Sequence, residues 1–192
     1  DSYEGDMFVL GIGIRANTGF LEDDGIEKSR GILVNQYLET SVEGVFAAGD
    51  VAEFQDTVLG IRHISGHIEN AQQQGKTAGA NMTGAREKYE RVTGYDTEIF
   101  GDMLMFVGAP ENADSRLVRE ADGTPSASFS LKDGRITGGL LVKPGGKDIR
   151  AFKDLVSRKD VDFGSHEKEL CDPDVPLSEI VKKIDNNESP YG

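Results

Sequence analysis

The run Val45-Phe46-Ala47-Ala48, short and apolar, ends in Gly49-Asp50, and no other string constrains this chain as much. An uninterrupted apolar run of that length is expected of a strand covered on both faces, as in a parallel sheet flanked by helices. Ligands of such sheets bind at the carboxyl ends of the strands. A glycine there lets a ligand approach the main chain, and the adjacent aspartate offers acceptors suited to sugar hydroxyls. As a bare dipeptide, Gly-Asp after a strand is also an ordinary turn. The neighbouring residues decide between the two.

The string Thr40 to Val51 resembles the second flavin-contacting motif of FAD-dependent pyridine-nucleotide oxidoreductases. Gly11-Ile12-Gly13-Ile14-Arg15-Ala16-Asn17-Thr18, Leu21-Glu22 and Gly31-Ile32-Leu33-Val34 follow the same family in order. The chain is most similar to the ferredoxin-reductase-like branch, which holds ferredoxin and rubredoxin reductases, monodehydroascorbate reductase and apoptosis-inducing-factor-like flavoproteins. The resemblance implies FAD and NAD(P) as cofactors. It implies Asp50 on the ribityl chain, Gly49 giving clearance, and the Val51 amide near the pyrophosphate. It also implies a helix starting near Glu69 whose positive end, with His67, Ile68 and Glu69, faces the flavin pyrimidine edge. Gly11 and Gly13 would lie along the nicotinamide nucleotide or simply mark a domain crossing. Tyr95 would lie by the flavin's dimethylbenzene side or in the core. Two positions depart from the family: Ala16 stands where proline is usual, and Ile68 where the branch often carries tryptophan.

The implied fold class is α/β and α+β: the C-terminal part of a Rossmann-like FAD domain, then a small domain of antiparallel sheet plus helices. Residues 1–13 would end an NAD(P)-binding domain, 14–84 would close the FAD domain, and 85–192 would form the C-terminal reductase or dimerisation-type domain. No Gly-x-Gly-x-x-Gly fingerprint follows a strand and opens a helix, so the sites for both pyrophosphates are incomplete in these residues. Met7 to Ile12 reads as a strand lacking its partners. The expectation is a C-terminal piece of an oxidoreductase that passes hydride from NAD(P)H to FAD and electrons to an acceptor, inactive by itself. The alternative is a non-catalytic dimerisation or docking module derived from such an enzyme.

The 34 acidic and 21 basic residues leave a net charge of −13, which disfavours nucleic acid and anionic membrane surfaces as partners. The partners implied are the remainder of the same enzyme, an electron acceptor (a small iron–sulfur protein among the candidates) and a second copy in a homodimer. The expected compartment is the cytoplasm. An acidic carrier would need a local basic patch, and Arg86 to Arg91 and Arg116 with Arg119 are the dense candidates. Cys171 stands alone and is read as structural. His63 and His67 are four apart, but Ser65-Gly66 lies between them and no third ligand is suitably spaced, so no metal is expected. His166 reads as solvated. No residue of the chain is assigned a catalytic role, since the flavin carries the chemistry.

Val51 to Phe54 leads into a variable polar loop up to about Gly60. In the helix that follows, Gly75 and Gly79 would allow close packing. Beyond Gly84 the pattern turns to strands over Met103–Val107, Ser115–Glu120, Ser126–Leu131 and Ile136–Val142, with a hairpin turn at Asp133-Gly134. A helix is expected over Lys147–Val156 with Ile149, Phe152 and Val156 on one side, and another from Leu177, fraying into Asn186 to Pro190. Phe100, Phe106, Phe129, Leu140 and Phe152 are assigned to the core.

Overall fold

The computed structural model describes residues 2–21 and 25–188; Glu22 and Ser189-Pro190 lie outside them. Two sheets organise the chain, each with its own apolar core. The first has three short strands in the order β1 (Ile32–Leu33), β2 (Ala52–Asp56) and β3 (Ile61–His63). β1 pairs parallel with β2, and β2 antiparallel with β3. The segment expected as a polar loop is therefore largely a hairpin, closed by Asp56, whose Oδ1 accepts the amides of Val58 and Leu59 at 2.9 and 2.8 Å.

Val45 to Ala48 is not a central strand among the described residues. Phe46 makes a single antiparallel bridge to Glu39, and the chain then tightens into a 3₁₀ turn over Gly49–Val51. A ladder needs neighbours on both sides, and this segment has only its own preceding turn to bond. Met7 to Ile12 likewise makes no ladder and is exposed throughout, Ile12 at 88%.

Helix α1 (Ile68–Met82) packs on this sheet through a face that is mostly amide and hydroxyl: Asn70, Gln74, Thr77 and Asn81 are buried, with Ala78 the apolar contribution. These positions recur every three or four residues, a stripe of helical period drawn in polar side chains. Burial of the two asparagines is tolerated because each finds partners, while Gln74 uses Oε1 and leaves Nε2 without a partner among the described residues. Asn81 Nδ2 donates to the carbonyls of Tyr37 and Glu87 at 2.8 Å, and its Oδ1 accepts the Glu87 amide at 2.6 Å. Asn70 Nδ2 donates to the Ser65 carbonyl, and its Oδ1 accepts the Tyr89 hydroxyl at 2.8 Å. Burial pushes the Tyr89 phenol up to about 12, which keeps it a donor. Gly75 and Gly79, expected at a close contact, face open space instead, since the polar stripe turns them outward.

The second sheet has five antiparallel strands in the order β4 (Gly94–Ile99), β5 (Asp102–Gly108), β8 (Arg135–Val142), β7 (Thr124–Lys132) and β6 (Ser115–Ala121). Period-two alternation in β7 sends Ala127, Phe129 and Leu131 into the core. There they meet Phe152, Leu155 and Val156 of α2 (Gly146–Ser157) and Ile180 and Ile184 of α4 (Leu177–Glu188). Phe129 and Phe152 meet edge to face at 5.2 Å. Asp133 and Gly134 both take positive φ, as the two-residue hairpin turn requires. Among the described residues no helix is long and apolar enough to cross a membrane.

Four side chains depart from expectation here. Phe100 sits at the β4–β5 turn with positive φ, fully exposed rather than in the core, because a two-residue hairpin tip points away from both faces of the sheet. Phe106 and Leu140 are half-buried, on the sheet face opposite α2. Arg119 is only 7% exposed, and its guanidinium donates to the carbonyls of Leu170, Val175 and Glu169 at 2.7, 3.0 and 3.0 Å, closing the end of α3 (Glu167–Cys171). It therefore cannot serve as a docking arginine. Arg119→Met should cost about 2–4 kcal/mol by leaving buried carbonyls without donors, whereas Arg116→Met, on an exposed residue, should cost under about 0.5 kcal/mol. Urea unfolding of the two variants checks this; equal effects would show that the three bonds are not made.

Candidate functional site

The Gly49–Val51 turn meets the start of α1, and this junction assembles most of the residues singled out in the sequence. Gly49 has φ 79°, and a Cβ there would lie 3.4 Å from that of Ala71, so the turn and the helix pack backbone to side chain. Its amide donates to Oε1 of Gln74, fully buried, at 2.8 Å. Asp50 follows on the exposed side of the turn.

Asp50 lines a cavity of about 730 Å³ together with Gly13, Ile14, Arg15, Ala16, Ser29, Arg30 and His67. That size is within the range of small-molecule sites. The floor is tight: a Cβ on Gly66 would come within 2.6 Å of Ile14 Cδ1 and 3.9 Å of Asp50 Oδ2. His67 is the N-cap residue of α1 and makes no side-chain cap bond, so it leaves the first-turn amides and the positive end of the helix uncapped by its own side chain. Partial burial lowers the His67 imidazole from its ordinary value, while the nearby Asp50 carboxylate pulls it upward. At neutral pH the ring is therefore uncharged.

On its other side the His67 ring stacks on Tyr95 at 4.0 Å, and Tyr95 stacks on Phe106 at 4.7 Å. Tyr95 is the residue of β4 opposite Phe106 of β5, which explains the second contact; the first joins the two sheets. His67, Tyr95 and Phe106 line a smaller crevice of about 240 Å³ with His63, Ser65 and Glu111. His67 thus separates the two spaces.

The remaining sequence candidates scatter. Ile68 is 80% exposed beside the site. The Glu69 carboxylate turns away and binds Lys153 of α2 at 2.8 and 3.0 Å, a link between the two sheets rather than a wall of the larger cavity. Gly13 lines the cavity, whereas Gly11 is exposed with no neighbour around its Cα. Val51 does not line the cavity; its carbonyl presses against Gly31. His63 faces the buried Asp56, with Nε2 3.5 Å from Oδ2. Among the described residues no group of three or more His, Cys, Asp or Glu is arranged to hold a metal. Sequence reasoning did not pick out Arg15 and Arg30 on the cavity wall. Their one signal was an arginine within each of two glycine-bearing strings.

Residues 1–75 match the family of pyridine nucleotide-disulphide oxidoreductases, and residues 97–181 the reductase C-terminal family. The chain is 29% identical over 156 residues to the NADH-rubredoxin oxidoreductase of Clostridium acetobutylicum, covering 80% of this chain and 40% of that protein. It is 37% identical over 117 residues to apoptosis-inducing factor 3 of Mus musculus, covering 59% and 19%. The solved structure of Fdr9 superposes with a TM-score of 0.77 at 26% identity, over 92% of this chain and 46% of that one. Putidaredoxin reductase, solved in covalent complex with putidaredoxin, shares the fold with a TM-score of 0.79. The chain thus spans less than half the length of each of these proteins.

Because the folded His67 binds its proton more weakly than an unfolded one, stability should fall as pH drops below about 6.5 towards the folded value. Nuclear magnetic resonance titration of the ring should give a midpoint below that of a free histidine, and Asp50→Asn should lower it further. An unchanged midpoint in Asp50→Asn would show that the carboxylate does not face the ring.

Proposed function

The chain belongs to the pyridine nucleotide-disulphide oxidoreductases, in their ferredoxin-reductase-like branch, and from that premise we propose that it is the carboxyl-terminal portion of an FAD-dependent NAD(P)H oxidoreductase. In this reading residues 14–84 close the FAD-binding domain, 85–192 form the reductase C-terminal domain and 1–13 end the nicotinamide-nucleotide domain. The observation that carries it is the 730 Å³ cavity with Asp50 on its wall at the positive end of α1. The residues present fit a flavin dinucleotide: a carboxylate for ribityl hydroxyls, cationic side chains for phosphates and an open helix terminus for electron-rich ring atoms.

A flavin held there supplies hydride acceptance from reduced nicotinamide and release of electrons to an acceptor. The protein's part is to bind and orient. Asp50 accepts hydroxyl hydrogen bonds, and Gln74 fixes the turn that carries it. Uncharged His67, stacked on Tyr95, holds the boundary of the cavity without adding a competing charge. The acceptor in this reading is an electron-carrier protein of the ferredoxin or rubredoxin kind. With Arg119 committed to the core, such a carrier would meet the remaining candidates Arg86, Arg91 and Arg116, which are exposed.

In the natural polypeptide carrying this chain, Asp50→Ala should weaken FAD retention by about 1.5–3 kcal/mol, the worth of hydrogen bonds to a charged group, and the purified protein should be paler. Flavin content and titrated affinity equal to wild type would remove Asp50 from the site.

A further inference from the structure

In the first sheet two buried polar atoms without hydrogen-bond partners face each other. Asp56, 2% exposed, spends Oδ1 on the amides of Val58 and Leu59, and its Oδ2 has no partner among the described residues. His63, at the end of β3, leaves Nε2 equally buried and unbonded, 3.5 Å from that oxygen. A buried carboxylate oxygen left in this state is costly. A proton on Nε2 turns the two atoms into a charge-assisted pair with little movement of either side chain. The arrangement is suited to taking up a proton and giving it back.

The pair is not sealed off. His63 lines the 240 Å³ crevice that His67 also lines, and His67 borders the larger cavity on its other side. Two imidazoles therefore stand along one route, the first at the wall of the Asp50 cavity and the second backed by a buried carboxylate. The titratable groups around His63 are Asp56 of β2, His67 at the start of α1, Tyr95 of β4 and Glu111 of the 3₁₀ turn Pro110–Asn112. Tyr89 feels the charge of Asp56, and its hydroxyl is committed to Asn70. Among the described lining residues of the crevice there is no lysine or arginine, so a positive charge arriving there meets carboxylates and no competing cation. Ser65 and Thr93 add hydroxyls to the same walls, and a polar space of this size admits several waters at about 30 Å³ each.

We propose that His63 and Asp56 form the proton-holding pair of the reaction, receiving through His67 and the crevice the proton that hydride transfer leaves behind. The proposal rests on the reading of the chain as part of an NAD(P)H oxidoreductase that serves one-electron carriers, and adds the outlet that such a reaction needs. NAD(P)H and two oxidised carriers give NAD(P)⁺, two reduced carriers and one H⁺. The hydride brings in two electrons and one proton. The carriers take the electrons singly and take no proton, so one proton per turnover has to reach water. Imidazole passes it well because one ring nitrogen can accept while the other gives up its own proton.

The test uses the natural polypeptide carrying this chain, with folding of each variant checked by circular dichroism. Without flavin, nitrogen magnetic resonance of the His63 ring should show a proton on Nε2, protected from exchange. Asp56→Asn keeps Oδ1 for the two amides and removes the charge, and should abolish that signal. With FAD bound, His63→Gln should slow turnover with ferricyanide, a one-electron acceptor that takes no proton, about tenfold. Reduction of the flavin by NAD(P)H, followed by itself, should change by less than about twofold, and added imidazole, small enough for the crevice, should restore most of the lost turnover. A wild-type ring without a proton on Nε2, a variant that turns over like wild type, or a loss that imidazole does not restore would overturn the pair and leave the flavin reading standing. A wild-type protein that binds no flavin would overturn both.

Discussion

One buried hydrogen bond holds the site together: the Gly49 amide donating to Oε1 of Gln74. Gly49 has left-handed backbone geometry, which a side chain there would strain, and a Cβ would stand in ordinary contact with Ala71 of the helix. Asp50 inherits its position from that contact, and so does the wall it shares with His67. The helix is in turn seated by Asn70 and Asn81, which bond loop carbonyls and amides rather than packing apolar surface. Directional bonds of this kind set the register of a helix more sharply than non-directional apolar contact. They also cost more when one partner is lost.

The second sheet plays a different part. Its core of Phe129, Phe152, Leu155, Ile180 and their neighbours is apolar and closes on itself. It reaches the site through two contacts, the stack of Tyr95 on His67 and the ion pair of Lys153 with Glu69. The stack fixes the imidazole that divides the two cavities. The ion pair is half-exposed and contributes little stability, so its use is orientation. A cofactor at Asp50 would thus lie in a cavity lined by the first half of the chain, with the second sheet reaching it only through His67 at the boundary.

Much of the C-terminal half was legible because its signals are local. Alternation in Ser126–Leu131, the Asp133-Gly134 turn and the spacing of Phe152 and Val156 each report their own element, and the observed strands and helices follow them to within about two residues. The first half was less legible because its determinants are long-range. Val45 to Ala48 has the composition of a buried strand, but composition does not say whether ladder partners are present. The stripe Asn70, Gln74, Thr77 and Asn81 reads as a solvated helix face until its loop partners are known. Arg119 looked like a surface charge for the same reason, since its three carbonyl partners lie about fifty residues downstream. Asp50 and His67, singled out from glycine-bearing strings, line the candidate cavity, while Arg15 and Arg30 became visible there only when the fold brought their segments to one wall.

The most direct test of this account is the FAD affinity of Gln74→Met in the natural polypeptide carrying this chain. Methionine keeps the size and the helix propensity of glutamine and removes the acceptor for the Gly49 amide together with Nε2, which has no partner among the described residues. The account predicts a protein that still folds, with FAD bound about tenfold more weakly and the His67 titration displaced, because the turn carrying Asp50 is no longer fixed to the helix. FAD affinity and His67 titration both equal to wild type would contradict it, and would mean that Asp50 is held in place by something other than this bond.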